Sequence, residues 1–331
     1  MIRYNKLFLF IIIGLTFAFA LAGCGGGGGG GGDDSGGGAS GLTYSGVTTP
    51  ALVDEFNAVD ISRGAFEAGS TELIDDGMMG LSVDQQIESY HIRNFRSVKM
   101  PMLLSNSLNR VDFTSASSDG IQAATQTESD IIEGNCGGTM SYSVSVDDQQ
   151  GTFSGSFTFS DYCNDATTIN GAAGFDGRMD MDSGEFIEAT FSFDNISGGD
   201  FSLDGEIHID FAATPNVVTF NAYSQDPISG AVFWIKNYSI TIDEFAGYVE
   251  IEMVGMFYHP DFGYVTLSTP EPLVLHDGDE FPQSGTLVIT GANDSKAKLT
   301  AIDHLTCTVE VDGDGDGNYE WNSGIINWED M

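Results

Sequence analysis

From Cys136 to the end of the chain, apolar residues recur at every second position, the period of strands that bury one face and wet the other. Tyr142, Val144 and Val146 alternate with serines, as do Phe153, Phe157 and Phe159 with small or polar residues. Phe191 and Phe193, Ile207 with Ile209 and Phe211, Ile240 and Ile242, Val249 with Ile251 and Met253, and Leu305 with Cys307, Val309 and Val311 repeat the pattern. Clusters such as "DDQQG", "DSGE", "ATPN", "DPISG" and "DGDGDG" separate the runs at hairpin distances. No convincing helix lies between them to carry a parallel crossover, so the strands pair antiparallel. The fold class is mainly β, an antiparallel meander of roughly ten to thirteen strands forming a barrel or sandwich, behind a smaller N-terminal helical and irregular segment.

The cysteines test that register. If "DDQQG" turns a hairpin, residues pair where their numbers sum to 299, which sets Val146 against Phe153, Val144 against Gly155, Tyr142 against Phe157 and Met140 against Phe159. The same sum joins Cys136 to Cys163. A disulfide there closes the base of the hairpin, stabilises by about 3.5 kcal/mol in the chain-entropy model, and belongs to an oxidising compartment. Cys307 falls on the apolar face of its strand and reads as a buried thiol.

The N-terminus reads as an address. Arg3 and Lys6 precede an apolar run from Leu7 to Ala20, too short and wrongly flanked for a spanning helix. Residues 1–23 are therefore a signal peptide. Leu21-Ala22-Gly23-Cys24 resembles the lipobox of bacterial lipoproteins, and the resemblance implies that Cys24 becomes the new N-terminus and carries diacylglycerol. Gly25 stands where lipoproteins retained in a Gram-negative inner membrane often have Asp, so the resemblance implies the outer membrane. Residues 24–40 continue as a Gly-rich tether with a mean span on the order of 20 to 25 Å.

Residues 41–135 have a mixed texture. Thr49 as a cap, Pro50 in a first turn, and Leu52, Phe56, Val59 and Phe66 at helical spacing before Gly69 predict a helix. The stretch "HIRNFRSVKMPMLLSNSLNR", with Arg93, Arg96, Lys99 and Arg110, is interrupted by Pro101 and suits packing against acidic surface better than a membrane-surface helix. Residues 115–134 read as loop. The β domain is 136–331.

Charge excludes several partners. The chain holds 49 acidic and 11 basic residues, and two of the basic ones precede Cys24. Such a body repels nucleic acid and anionic headgroups, so its expected membrane contact runs through the lipid anchor. No G-x-S-x-G, H-E-x-x-H, P-loop or dinucleotide fingerprint is present, and the five histidines are dispersed.

One loop has chemistry at a defined spacing. Asp312, Asp314 and Asp316, followed by Gly317, resemble the first half of an EF-hand calcium loop, in which alternate carboxylates converge on one ion. Ser323 stands at the twelfth position in place of Glu, so the carbonyl of Asn318, Glu320 or water would complete the ligands. A structural calcium site and a solvated acidic turn both fit; no other cofactor is expected. Three function classes remain: a non-catalytic interaction or structural module tethered in the cell envelope, a carrier of a hydrophobic ligand inside a phenylalanine-lined barrel, and an enzyme of unknown type. The first accounts for the strongest features.

Overall fold

The computed structural model describes residues 41–69 and 126–331, apart from 148, 165–166, 182, 199–201 and 227–228. All belong to one compact unit, Ala39–Met331. Cys24, the tether and the basic stretch at 91–110 lie outside the described residues.

Among the described residues one α-helix, α1 (Ala58–Gly69), precedes fifteen strands. The first seven are β1 (Gln126–Glu133), β2 (Gly137–Asp147), β3 (Thr152–Asn164), β4 (Thr167–Met179), β5 (Phe186–Gly198), β6 (Ser202–Asp210) and β7 (Asn216–Gln225). Then follow β8 (Val232–Phe245), β9 (Tyr248–His259), β10 (Gly263–His276), β11 (Ser284–Thr290), β12 (Lys296–Asp303) and β13 (Thr306–Asp312), with the two-residue β14 (Trp321–Asn322) and β15 (Ile326–Asn327). They form one antiparallel sheet in sequence order from β1 to β14, and β15 pairs with β13. Among the described residues β1 pairs only with β2, so the meander is open and the closed-barrel alternative is not formed.

The period-two pattern does what it requires. In β2, Met140, Tyr142, Val144 and Val146 are buried while the intervening serines are half-exposed. The inner faces of the strands join one hydrophobic core with α1, whose buried residues include Ala58, Ile61, Ala65 and Phe66. The helix packs against β8, β9, β11, β12 and β13. Its Gly64 admits the ring of Phe257, and Tyr238 donates from its hydroxyl to the Ala65 carbonyl at 3.0 Å. No helix among the described residues is long and apolar enough to cross a membrane.

The hairpin of β2 and β3 has the expected register, Val146 against Phe153 through Met140 against Phe159, and Cys136 is bonded to Cys163. Two expectations are corrected. Residues 115–134 do not remain loop to their end, because Gln126–Glu133 is strand β1; its Ile131 is exposed, so the strand is set by pairing with β2 and not by an amphipathic pattern of its own. The helix expected from Pro50 begins only at Ala58. Ala51 and Val53 are fully buried while Leu52 between them is exposed, which is extended chain, and Phe56 is exposed in the turn that follows. Asp54, not Thr49, turns it into the helix, accepting hydrogen bonds from the Phe56 and Asn57 amides at 2.9 and 3.2 Å.

Residues 41–53 instead run as a strap past the turns that join β9 to β10 and β11 to β12, reaching outward side chains of β8, β9 and β6 only at Tyr44 and Leu42. Val53 N–H donates to Ser295 Oγ at 3.0 Å, and the Ala51 carbonyl accepts from Ala292 at 2.7 Å. Pro50 forms a parallel bridge beside Tyr264, and Val47 N–H donates to the Pro260 carbonyl at 3.0 Å. Tyr44 packs on Trp234 and Tyr258, its hydroxyl 2.9 Å from the His259 carbonyl. Leu42 N–H reaches Asp204 Oδ2 on β6 at 2.9 Å.

Candidate metal centre

The acidic loop joins β13 to β14, and each of its carboxylates folds the chain back on itself. Asp312 is fully buried; its Oδ1 accepts from the amides of Gly315 at 2.8 Å and Asp316 at 3.1 Å, and its Oδ2 from Gly317 at 2.9 Å. Asp314 Oδ1 accepts from the Asp316 amide at 3.2 Å, and Asp316 Oδ1 from the Asn318 amide at 2.8 Å. Gly315 and Gly317 have φ of 76° and 91°, left-handed values that a side chain resists. The coil brings carboxylate oxygens of Asp312, Asp314, Asp316 and Glu320 within 4.8 Å of one another.

Asp312, Asp314 and Asp316 therefore come together as their spacing requires, and Glu320, the ninth position of the loop, completes the group. Ser323 does not join it. Its Oγ accepts from the Val309 amide at 3.0 Å and donates to the Gly324 carbonyl at 2.7 Å, closing the loop against β13.

Gly315 packs on the turn carrying Asn293 and Asp294. Lys296 on β12 stands opposite Asp312 in register. Lys298 is engaged elsewhere, bonded to Glu310 at 2.5 Å and lying 4.4 Å over the Tyr319 ring. Four hard oxygen donors around one point can hold a metal ion, and their mutual repulsion is what a cation would relieve.

His208, His259 and Cys307 are engaged within the fold. His208 is paired with Thr190 at 3.0 Å. His259 stacks on Phe262 and meets the edge of Phe233, and burial holds its pKa below 6.5. Cys307 is buried, 3.2 Å from the Met331 sulfur, and burial pushes its thiol up to about 12, as an inert thiol requires. A groove of about 430 Å³ over β2–β5 is lined by Ser145, Asp147, Ser154, Asp176, Arg178 and Glu188, among others, with Arg178 Nε donating to Glu188 at 2.6 Å. Sequence reasoning missed this groove, because cross-strand pairing and not sequence spacing assembles it. Its lining holds no histidine or cysteine. The chain matches no protein family, no curated protein and no solved structure.

Proposed function

We propose that this chain is a bacterial cell-envelope lipoprotein, held in the outer membrane by diacylglycerol on Cys24 and carrying a non-catalytic β body that serves a structural or interaction role. The lipobox, the apolar run before it and the glycines after it support the anchor. The observation that carries the reading is the Cys136–Cys163 bridge, which locks the base of a hairpin whose apolar register agrees with it. A structural disulfide of this kind belongs outside the reducing cytoplasm.

The acidic loop takes up calcium in this reading. Carboxylates from Asp312, Asp314, Asp316 and Glu320 are hard ligands suited to that ion, and with no Glu at the twelfth position the affinity is that of an extracellular module, about 10⁻⁴ to 10⁻³ M.

A second reading, a carrier of a hydrophobic ligand, rests on the phenylalanine-rich inner face of β3–β5 and is the weaker one, because Phe157, Phe175 and Phe191 are buried in the core there, with the rings of Phe157 and Phe175 at 4.6 Å. Native mass spectrometry separates the two, since a carrier retains lipid and a structural module does not. The anchor itself is tested by fractionation. Cys24→Ser should leave the membrane fraction or accumulate unprocessed; a variant that stays wholly with membranes after a high-salt wash removes the lipid reading.

A further inference from the structure

The strap fixes where the chain enters the body. It runs from the turn before β12 past the start of β10 and the β9–β10 turn, Tyr44 lies on Trp234 of β8 and Tyr258 of β9, and Leu42 is bound to Asp204 on β6. Gly41 lies over the same spot, where a Cβ would stand 3.7 Å from Asp194 on β5. The entry point is thus beside the outward carboxylates of Asp194 and Asp204, close to the turn that joins β5 to β6. It lies seven strands away from β13 and the acidic loop.

Length then limits orientation. Sixteen residues separate Cys24 from Gly41, and fully extended they cover at most about 60 Å. A compact body of this length has a diameter of roughly 50 Å, so half its circumference is roughly 75 to 80 Å. A chain anchored at Cys24 cannot pass round the body to present the opposite face.

The chemistry of the near face fits such a position. Ser143, Ser156, Gly174, Ser192 and Glu206 form one cross-strand row from β2 to β6. Ser156, Ser192, Asp194 and Glu206 are exposed, and among the described residues no large exposed apolar side chain lies on the outer face of β3–β6. Hydroxyls offer hydrogen bonds to headgroups, the lack of apolar tips keeps the face out of the hydrocarbon, and the carboxylates repel anionic lipid. Resting on the lipid anchor at Cys24, we propose that the outer face of β3–β6 lies against the membrane and that its partner is the headgroup layer of a zwitterionic bilayer.

The test uses the full lipidated chain in phosphatidylcholine liposomes containing a nickel-chelating headgroup lipid. Single spin labels go on Ser156→Cys, Ser192→Cys and, on β13, Thr308→Cys. Relaxation by the headgroup nickel should be several-fold larger at 156 and 192 than at 308. Replacing part of the phosphatidylcholine by phosphatidylglycerol should reduce it at low salt and not at high salt. Equal relaxation at all three positions, on chains that still float with the liposomes, overturns the orientation and leaves the anchor standing. Chains that do not float overturn the anchor and the orientation with it.

Discussion

Gly155 and Gly177 stand directly opposite Phe175 and Phe153 on the neighbouring strands, and each ring lies over the place where a Cβ would be. The missing side chains make room for the phenylalanines, so the glycines in these strands belong to the core as much as the rings do. Added to Gly177, a methyl would meet the Phe153 ring, the Glu188 carbonyl and the backbone of Ala189. Removing a strand glycine gains about 0.5 to 1 kcal/mol of backbone entropy, whereas overpacking costs about 1 to 3, so Gly177→Ala should destabilise in urea unfolding. An unchanged midpoint would mean that the ring does not lie there. His259 carries a pH dependence. Burial among Phe233, Phe257 and Phe262 lowers its pKa below 6.5, so the unfolded chain binds the proton more tightly. Its contribution is complete above 6.5 and is lost as pH falls through the lowered value. The stability difference between the parent and His259→Phe should therefore move against the parent between about pH 7.5 and about pH 5, while the carboxylates common to both cancel. A pH-independent difference would contradict the lowered pKa.

At the scale of elements, the hairpin of β2 and β3 was legible because two independent signals coincide, the alternation of apolar residues and the placement of two cysteines. The pairing that sums to 299 holds from Asp147 against Thr152 to Thr139 against Ser160, and the register then shifts so that Gly137 faces Cys163. The shift accompanies Asp161, whose φ is 47°. That bulge has an echo the sequence contains: "FTFSDY" at 157–162 followed by "ING" at 169–171 parallels "FSFDNI" at 191–196 followed by "LDG" at 203–205, and Asn195 is left-handed as Asp161 is. Non-reducing peptide mapping should join Cys136 to Cys163 in one fragment, with Cys307 alkylated only after unfolding. A bridge from Cys136 to Cys307 would contradict both. The strap was not legible. Leu52 and Phe56 have helical spacing, yet Leu52 points to solvent because residues 49–53 bind across the edges of other strands, and Phe56 because it sits in the Asp54 turn, arrangements no local period encodes. For the acidic loop, spacing identified three aspartates and offered Glu320 beside the Asn318 carbonyl and water; the coil of the loop brings Glu320 into the group. Millimolar calcium should raise the thermal midpoint of the body, corresponding to about 0.5 to 1.5 kcal/mol of stabilisation, relative to chelator at matched ionic strength. Asp314→Asn should lose most of that response. Equal midpoints in the parent would leave the loop a solvated acidic turn.

For the whole molecule, alternation identified the antiparallel meander but not its closure, since barrel and open sheet share the same period of two and differ only in whether the first and last strands meet. The charge of the body follows the same division of faces. Among the described residues most carboxylates face outward and most phenylalanines inward, and the chain carries a formal charge of −38. Strap, sheet and disulfide together make a braced body entered at one face, and its role depends on what holds the other end of the tether. The most direct measurement is the mass of the N-terminal peptide from the native membrane fraction. This peptide should begin at Cys24 and carry a diacylglyceryl group on the sulfur. A mature chain that begins elsewhere, or an unmodified Cys24, would contradict it.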